Sequence, residues 1–187
     1  MVRDVYDRPL GQFIGQGEPV LIIYANRGTR GSVEGPATEL AFRLHDVPFV
    51  TVVRADLRGV PGLFHGIARN RMRSDHAAAV QRYVDGYKSR GFAVPVDVSD
   101  HLIFVLDENG GPHDRLGLKQ GFTQAMALVL DGTGREVLRA EFPQDADRVE
   151  MAIRNAASGG SPKAEGRRPT PRSQSGVSPS TKAAGSP

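Results

Sequence analysis

Residues 24–31 read Tyr-Ala-Asn-Arg-Gly-Thr-Arg-Gly, a polar stretch between the apolar run PVLIIY (19–24) and a helical pattern. Arg27 and Arg30 bring two permanent positive charges, Thr29 and Ser32 bring hydroxyl donors, and Gly28 and Gly31 allow close backbone approach. A loop that leaves a strand and opens a helix also offers unpaired N–H groups and the positive end of the helix dipole. The chemistry such a set suits is capture of an anion, a carboxylate or a peptide by Asn26, Arg27, Gly28, Thr29, Arg30 and Gly31. A solvated Gly/Arg loop with no ligand is the plain alternative. An enzyme would need a general acid or base beside the loop, and Glu34 and Glu39 are the nearby candidates.

Other constellations carry less. The chain has no cysteine, which removes disulfides, thiolate metal ligands and thiol catalysis. His45, His65, His76, His101 and His113 show no metal-ligand spacing. His101 opens a strand and His113 sits in a turn, so solvated or structural roles are expected for both. GTGREV (132–137) partly matches a dinucleotide glycine pattern but falls in a hairpin, where it reads as a turn. Asp107, Glu108 and Asp131 sit at strand ends beside glycines, where turn formation accounts for them. Arg69, Arg71 and Arg73 read as a solvated helix face. No metal and no cofactor are expected.

The elements that position the loop follow from periodicity. PVLIIY (19–24) and FVTVVRAD (49–56) are buried strands, and Ala37, Leu40, Ala41 and Leu44 between them make an amphipathic helix. Strand, helix, strand implies a parallel right-handed crossover. The helix starts either at Pro36 or near Thr29 with Pro36 inside it. Leu63, Phe64, Ile67 and Ala68 form a short stripe; Ser74 or Asp75 can cap a second helix through Val80, Tyr83, Val84 and Tyr87, ending at Gly91. HLIFVLD (101–107) and AMALVLD (125–131) are further strands, and an Asp-Gly turn leads into REVLRAEF (135–142) as a hairpin. Val149, Ala152, Ile153 and Ala156 give a last helix. A short lead-in helix is expected within 9–16, and residues before Leu10 read as a docking segment or as disordered. The expected fold class is α/β, a mixed sheet flanked by helices.

Length and charge divide the 187 residues. We read 1–18 as a lead-in, 19–156 as one domain and 157–187 as a tail. The tail holds a single Val as its only large apolar residue, too little to offset chain entropy, and is expected to be disordered. Its five Lys and Arg against Glu165 give it +4; the chain totals +3, leaving the rest at −1, so no nucleic-acid-binding domain is implied. RRPTPR (167–172) suits an extended backbone on an acidic groove through Arg167, Arg168 and Arg172, and Thr170 and Ser178 fit a phosphorylation pattern. The charged N-terminus lacks a signal-peptide core, and no run approaches a membrane span, so a cytoplasmic address is expected.

The order of elements together with IIYANRGTRG (22–31) and AMALVLDGTGREVLR (125–139) resembles the thioredoxin superfamily over Pro19–Ala156. Tyr24-Ala25 falls on the family's aromatic-Ala pair, and Gly28 and Gly31 fall on its two redox cysteines. Ala25-x-Arg27, ADLRGVPGLFHGIARNRMR, FVLDENGG and LVLDGTGR are similar to the bacterial YtfJ-like branch, which carries no firmly assigned reaction. The family's cis-proline precedes its penultimate strand; here Gln124-Ala125 stands there. GPATEL (35–40) is similar to a peroxiredoxin segment, but no thiolate is present to reduce a peroxide.

The resemblance implies a redox-inactive thioredoxin-fold protein, with Thr123, Gln124 and Ala125 opposite the loop. Its role is expected to be a protein-interaction or scaffold module. A peptide would pair by main chain beside Thr123–Ala125, and the tail would touch an acidic partner. The alternative is a non-redox enzyme or binder of an anionic small molecule at Arg27 and Arg30. A third reading makes the tail the functional part, tethering the domain.

Overall fold

The computed structural model describes residues 2–159. Its sheet has the order β3-β2-β1-β4-β5, formed by β1 (Val20–Ala25), β2 (Val50–Asp56), β3 (Leu102–Asp107), β4 (Ala125–Leu130) and β5 (Glu136–Phe142). β1, β2 and β3 run parallel, β4 is antiparallel to β1, and β5 closes a hairpin on β4. Each strand lies within a residue of the apolar run that foreshadowed it. Runs rich in Val, Ile and Leu become strands because both of their faces are covered.

Three long helices occupy one face: α1 (Arg30–Arg43), α2 (His65–Ser89) and α5 (Ala146–Ala157). The chain steps from β1 to β2 and on to β3 in one direction, so two right-handed crossovers put α1 and α2 on the same side. Leu40, Tyr83, Val149 and Ile153 meet Ile23, Ala127 and Phe142 in that core. The short α3 (Val98–His101) adds Val98 to it. Shorter pieces cover the second face. A 3-10 turn at Leu10–Gln12 and the segment after α4 (Gly111–Arg115) lay Leu10, Leu118 and Phe122 over Val20, Ile22 and Val52.

Two local expectations are overturned. Ser74 and Asp75 cap nothing: α2 is one continuous helix of 25 residues, and both lie in its middle. The helix continues because Asp75 is engaged by arginines and His76 by the sheet, so neither competes for an amide at a helix end. Of the two readings of the segment before Leu10, disorder is overturned, because the segment docks on the chain's own sheet. Val5 is buried, its N–H donates to the Phe104 carbonyl at 2.9 Å, and Asp4 pairs with Val105 along the outer edge of β3. The expected disorder of the tail and its contacts at Arg167, Arg168 and Arg172 lie outside the described residues.

Candidate binding site

β1 ends at Ala25 and α1 begins at Arg30, so Asn26–Thr29 form the junction and Pro36 sits inside the helix. Asn26 organises this loop. Its Oδ1 accepts the N–H groups of Gly28 (2.7 Å) and Thr29 (2.9 Å), and its Nδ2 donates to the Phe122 carbonyl at 2.6 Å. The last bond draws the loop to the segment before β4, so the structure brings 26–31 and 123–125 side by side. Thr29 is buried, and its hydroxyl oxygen accepts the Asn26 N–H at 3.0 Å. The Arg30 N–H donates to Asn26 O and the Ser32 N–H to Thr29 O, at 3.0 and 3.1 Å. The donors of Gly28, Thr29, Arg30 and Ser32 are therefore spent inside the loop rather than held open for an anion.

The two arginines have separate fates. Arg30 Nη1 reaches Asp75 Oδ2 on α2 at 2.7 Å and stands 3.8 Å from Glu34. The hydrogen bond to Asp75 holds its guanidinium above the ordinary arginine value, against the opposing effect of burial. Arg27 is exposed, and among the described residues no carboxylate pairs with it. Gly28 and Gly31 are exposed beside it. On the other side of the loop Thr123 is exposed, while Gln124 Nε2 is turned to the Phe142 carbonyl and to Gln144. Ala125 is buried opposite Phe142. β4 lies between β1 and β5, so it has no open edge for a peptide strand; only Thr123, before it, is accessible.

Beneath the loop, α1 and α2 stand apart over β2 and β3 and leave a cavity of about 340 Å³. Alanines make the space: Ala25, Ala37, Ala55, Ala68 and Ala79 line it, with Val53, Met72 and Phe104 completing an apolar surface. Charge is confined to the rim. There Arg30 to Asp75 and Arg82 to Glu34 bridge the two helices, Arg71 also engages Asp75 within α2, and Arg27 stands at the mouth. Asp56, also at the rim, is held by Arg58 at 2.7 Å.

The apolar lining continues outward. Ala68 and Met72 are spaced by four along α2, which puts them on one helix face, and Phe64 stands immediately before the helix at the same spacing. Leu63, Phe64 and Ile67 are 78%, 44% and 66% exposed, an apolar patch running from the cavity wall onto the surface. The sequence stripe at 63–68 picked out these residues, but its pattern carries no sign of what covers it.

The histidines take structural positions. His76 is buried, donates from Nε2 to Leu102 O at 2.6 Å and accepts the Tyr6 hydroxyl at Nδ1 (3.1 Å). His113 does not sit in a solvated turn: it is fully buried with Nδ1 2.7 Å from Asp107 Oδ2. Alternation held the clue, since Asp107 follows Ile103 and Val105 on a buried face of β3. Among the described residues, no group of three or more His, Asp or Glu could hold a metal ion, and no helix is long and apolar enough to cross a membrane.

No protein-family model matches the chain, and no curated protein matches it. Solved structures do resemble it. BsSco, a member of the Sco family of cytochrome c oxidase assembly proteins, aligns with a TM-score of 0.50 at 9% identity, over 84% of this chain and 90% of that one. The N-terminal domain of PilB from Neisseria gonorrhoeae gives 0.47 at 15% identity, over 82% and 87%. The pneumococcal exposed lipoprotein thioredoxin Etrx1 from Streptococcus pneumoniae gives 0.46 at 15%, over 82% and 96%. The shared feature is the thioredoxin-like fold, here without a cysteine.

Proposed function

We propose that this thiol-free thioredoxin-like fold serves as a peptide-binding module. An apolar anchor side chain of a protein partner enters the α1–α2 cavity, and an acidic group beside that anchor meets Arg27. The observation that carries the reading is the cavity itself. It is lined in part by alanines, opens at the junction loop, and its lining residue Ala68 follows exposed Ile67 and lies four residues from exposed Phe64. A small anion alone would have no use for that patch, whereas a peptide covers it. Arg27 supplies the charge complement, because the other rim arginines are already committed to Asp75 and Glu34. The scaffold role follows from the same contact, with the basic tail as a second one.

The test is a displayed peptide library selected against the full chain, with affinities then measured for Arg27→Ala, Ala68→Leu and a truncation after Ala157. Selected peptides should carry one large apolar residue next to Asp or Glu. Ala68→Leu, which fills the cavity, should weaken them at least tenfold, equivalent to about 1.4 kcal/mol. Arg27→Ala should weaken acidic peptides selectively. Peptides with no such pattern, or binding indifferent to Ala68→Leu, would sink the reading; loss only on truncation would move the contact into the tail.

A further inference from the structure

On the opposite face of the sheet lies a buried cation that meets no counter-ion among the described residues. Arg54 is 6% exposed in the middle of β2, and its Nε is buried with no hydrogen-bond partner among the described residues. The carboxylates near it are committed. Asp56 is held by Arg58 through Nε at 3.0 and 3.1 Å and Nη2 at 2.7 Å. Asp107 accepts the Gly110 N–H at 3.0 Å on one oxygen and His113 Nδ1 on the other. An ionised guanidinium taken out of water costs several kcal/mol unless an anion meets it.

A second orphaned group lies over the same place. Tyr24, Arg54 and Val105 are in register on β1, β2 and β3, and Asp107 follows Val105 by two, so all four side chains share one face. The His113 ring packs edge-on against Tyr24, with centroids 5.1 Å apart, and bonds Asp107. The ring thus reaches from β1 to β3 across β2, on the face that carries Arg54, whose guanidinium carbon is 5.9 Å from the same Tyr24 ring. His113 Nε2 is also buried without a partner among the described residues.

We propose that Arg54 and His113 form a binding site for a small oxyanion of the carboxylate or phosphate type, seated between β2 and the segment after α4. The anion accepts from the Arg54 guanidinium and from His113 Nε2–H. The imidazole then bridges the anion and the Asp107 carboxylate. This site lies across the sheet from the α1–α2 cavity and does not depend on it.

The test is thermal unfolding of the full chain in inorganic phosphate, in acetate and in chloride at matched ionic strength. It is paired with ¹⁵N spectra of the Arg54 Nε and His113 ring nitrogens. The wild-type midpoint should rise saturably with phosphate or acetate over chloride, and whichever of the two acts names the anion. The Arg54 Nε resonance should shift along the same saturation curve. Arg54→Met, which keeps the apolar length and removes the orphaned charge, should show no anion dependence while matching or exceeding the wild-type midpoint in chloride. His113→Gln should reduce the response and retain the fold, so it carries the test if Arg54→Met fails to fold. Equal midpoints in all three salts would overturn the site, as would an equal anion response in wild type and His113→Gln, or a response that leaves the Arg54 resonance unmoved.

Discussion

Arg30, the first residue of α1, holds Asp75 in the middle of α2 at 2.7 Å, closing one side of the cavity mouth between the two helices. The cation that the sequence offered to a ligand is thus a strut, and Arg27, three residues earlier, is the one turned outward. Asp75 is only 12% exposed, so losing Arg30 leaves a poorly hydrated carboxylate with only Arg71, at 3.3 Å, to compensate. We expect Arg30→Ala to lower unfolding free energy by about 1 kcal/mol and Arg27→Ala to stay within about 0.5 kcal/mol of wild type. Urea titrations of the two variants check this; equal losses would mean that Arg30 is not a strut.

His76 should make stability depend on pH. Burial holds its imidazole below the ordinary value; the Leu102 carbonyl pulls the other way, Arg8 adds to the depression and Asp4 opposes it. A histidine with a depressed folded value binds its proton more readily when unfolded. Its contribution is therefore complete above the unfolded value of about 6.5 and is lost as pH falls toward the folded one. Urea midpoints should drop across that window in wild type and flatten in His76→Gln.

Asp131 sets the β4–β5 turn. Thr133 donates from its hydroxyl and its amide, and the Arg135 amide joins them on the same oxygen, at 2.6, 3.0 and 3.0 Å. The Thr133 hydroxyl bond first, then the backbone amides, hold its carboxyl down to about 2. A depressed carboxylate contributes above the unfolded value of about 3.9, and the contribution fades as pH falls toward 2. Protection of the Gly134 amide, whose N–H donates to Asp131 O at 2.8 Å, relative to its intrinsic exchange rate at each pH, should fall across that interval in wild type. In Asp131→Ala protection should be low throughout.

Gly86 lies within α2, where helix propensity alone favours alanine by about 0.5–1 kcal/mol. A Cβ there would collide with the Phe42 ring at Cζ. Phe42 is buried against Tyr87 and under the Arg90 guanidinium, 4.0 Å from its ring, so it has little room to yield. Gly86→Ala should therefore destabilise by about 1–3 kcal/mol. A stabilised variant would show that the α1–α2 contact is softer than its geometry implies.

How much of this was legible depends on what each residue answers to. The strands could be read because Val20–Ala25 or Ala125–Leu130 is apolar on both faces, which only a buried strand tolerates at that length. α2 could not be read as one piece. Its middle turns present Arg71, Asp75 and Arg82 to partners on α1 or to one another, and a stripe of ion pairs looks in sequence like a surface or a break. The loop was legible in position but not in chemistry, since the carboxylate that claims Arg30 comes from 45 residues away. Arg54 and His113 were missed for the same reason: a charge inside an apolar strand and a histidine after a turn come to one face only once β1, β2 and β3 lie in register.

The bridge between Asp4 and Val105 joins positions about a hundred residues apart and is made at the outermost strand of the sheet. Closing so long a loop is entropically slow. During synthesis, the opening residues have nothing to dock on until β3 has left the ribosome, so their docking is a late event. Until then the β3 edge is unprotected, and that interval is when a growing chain is most exposed to mispairing with its neighbours.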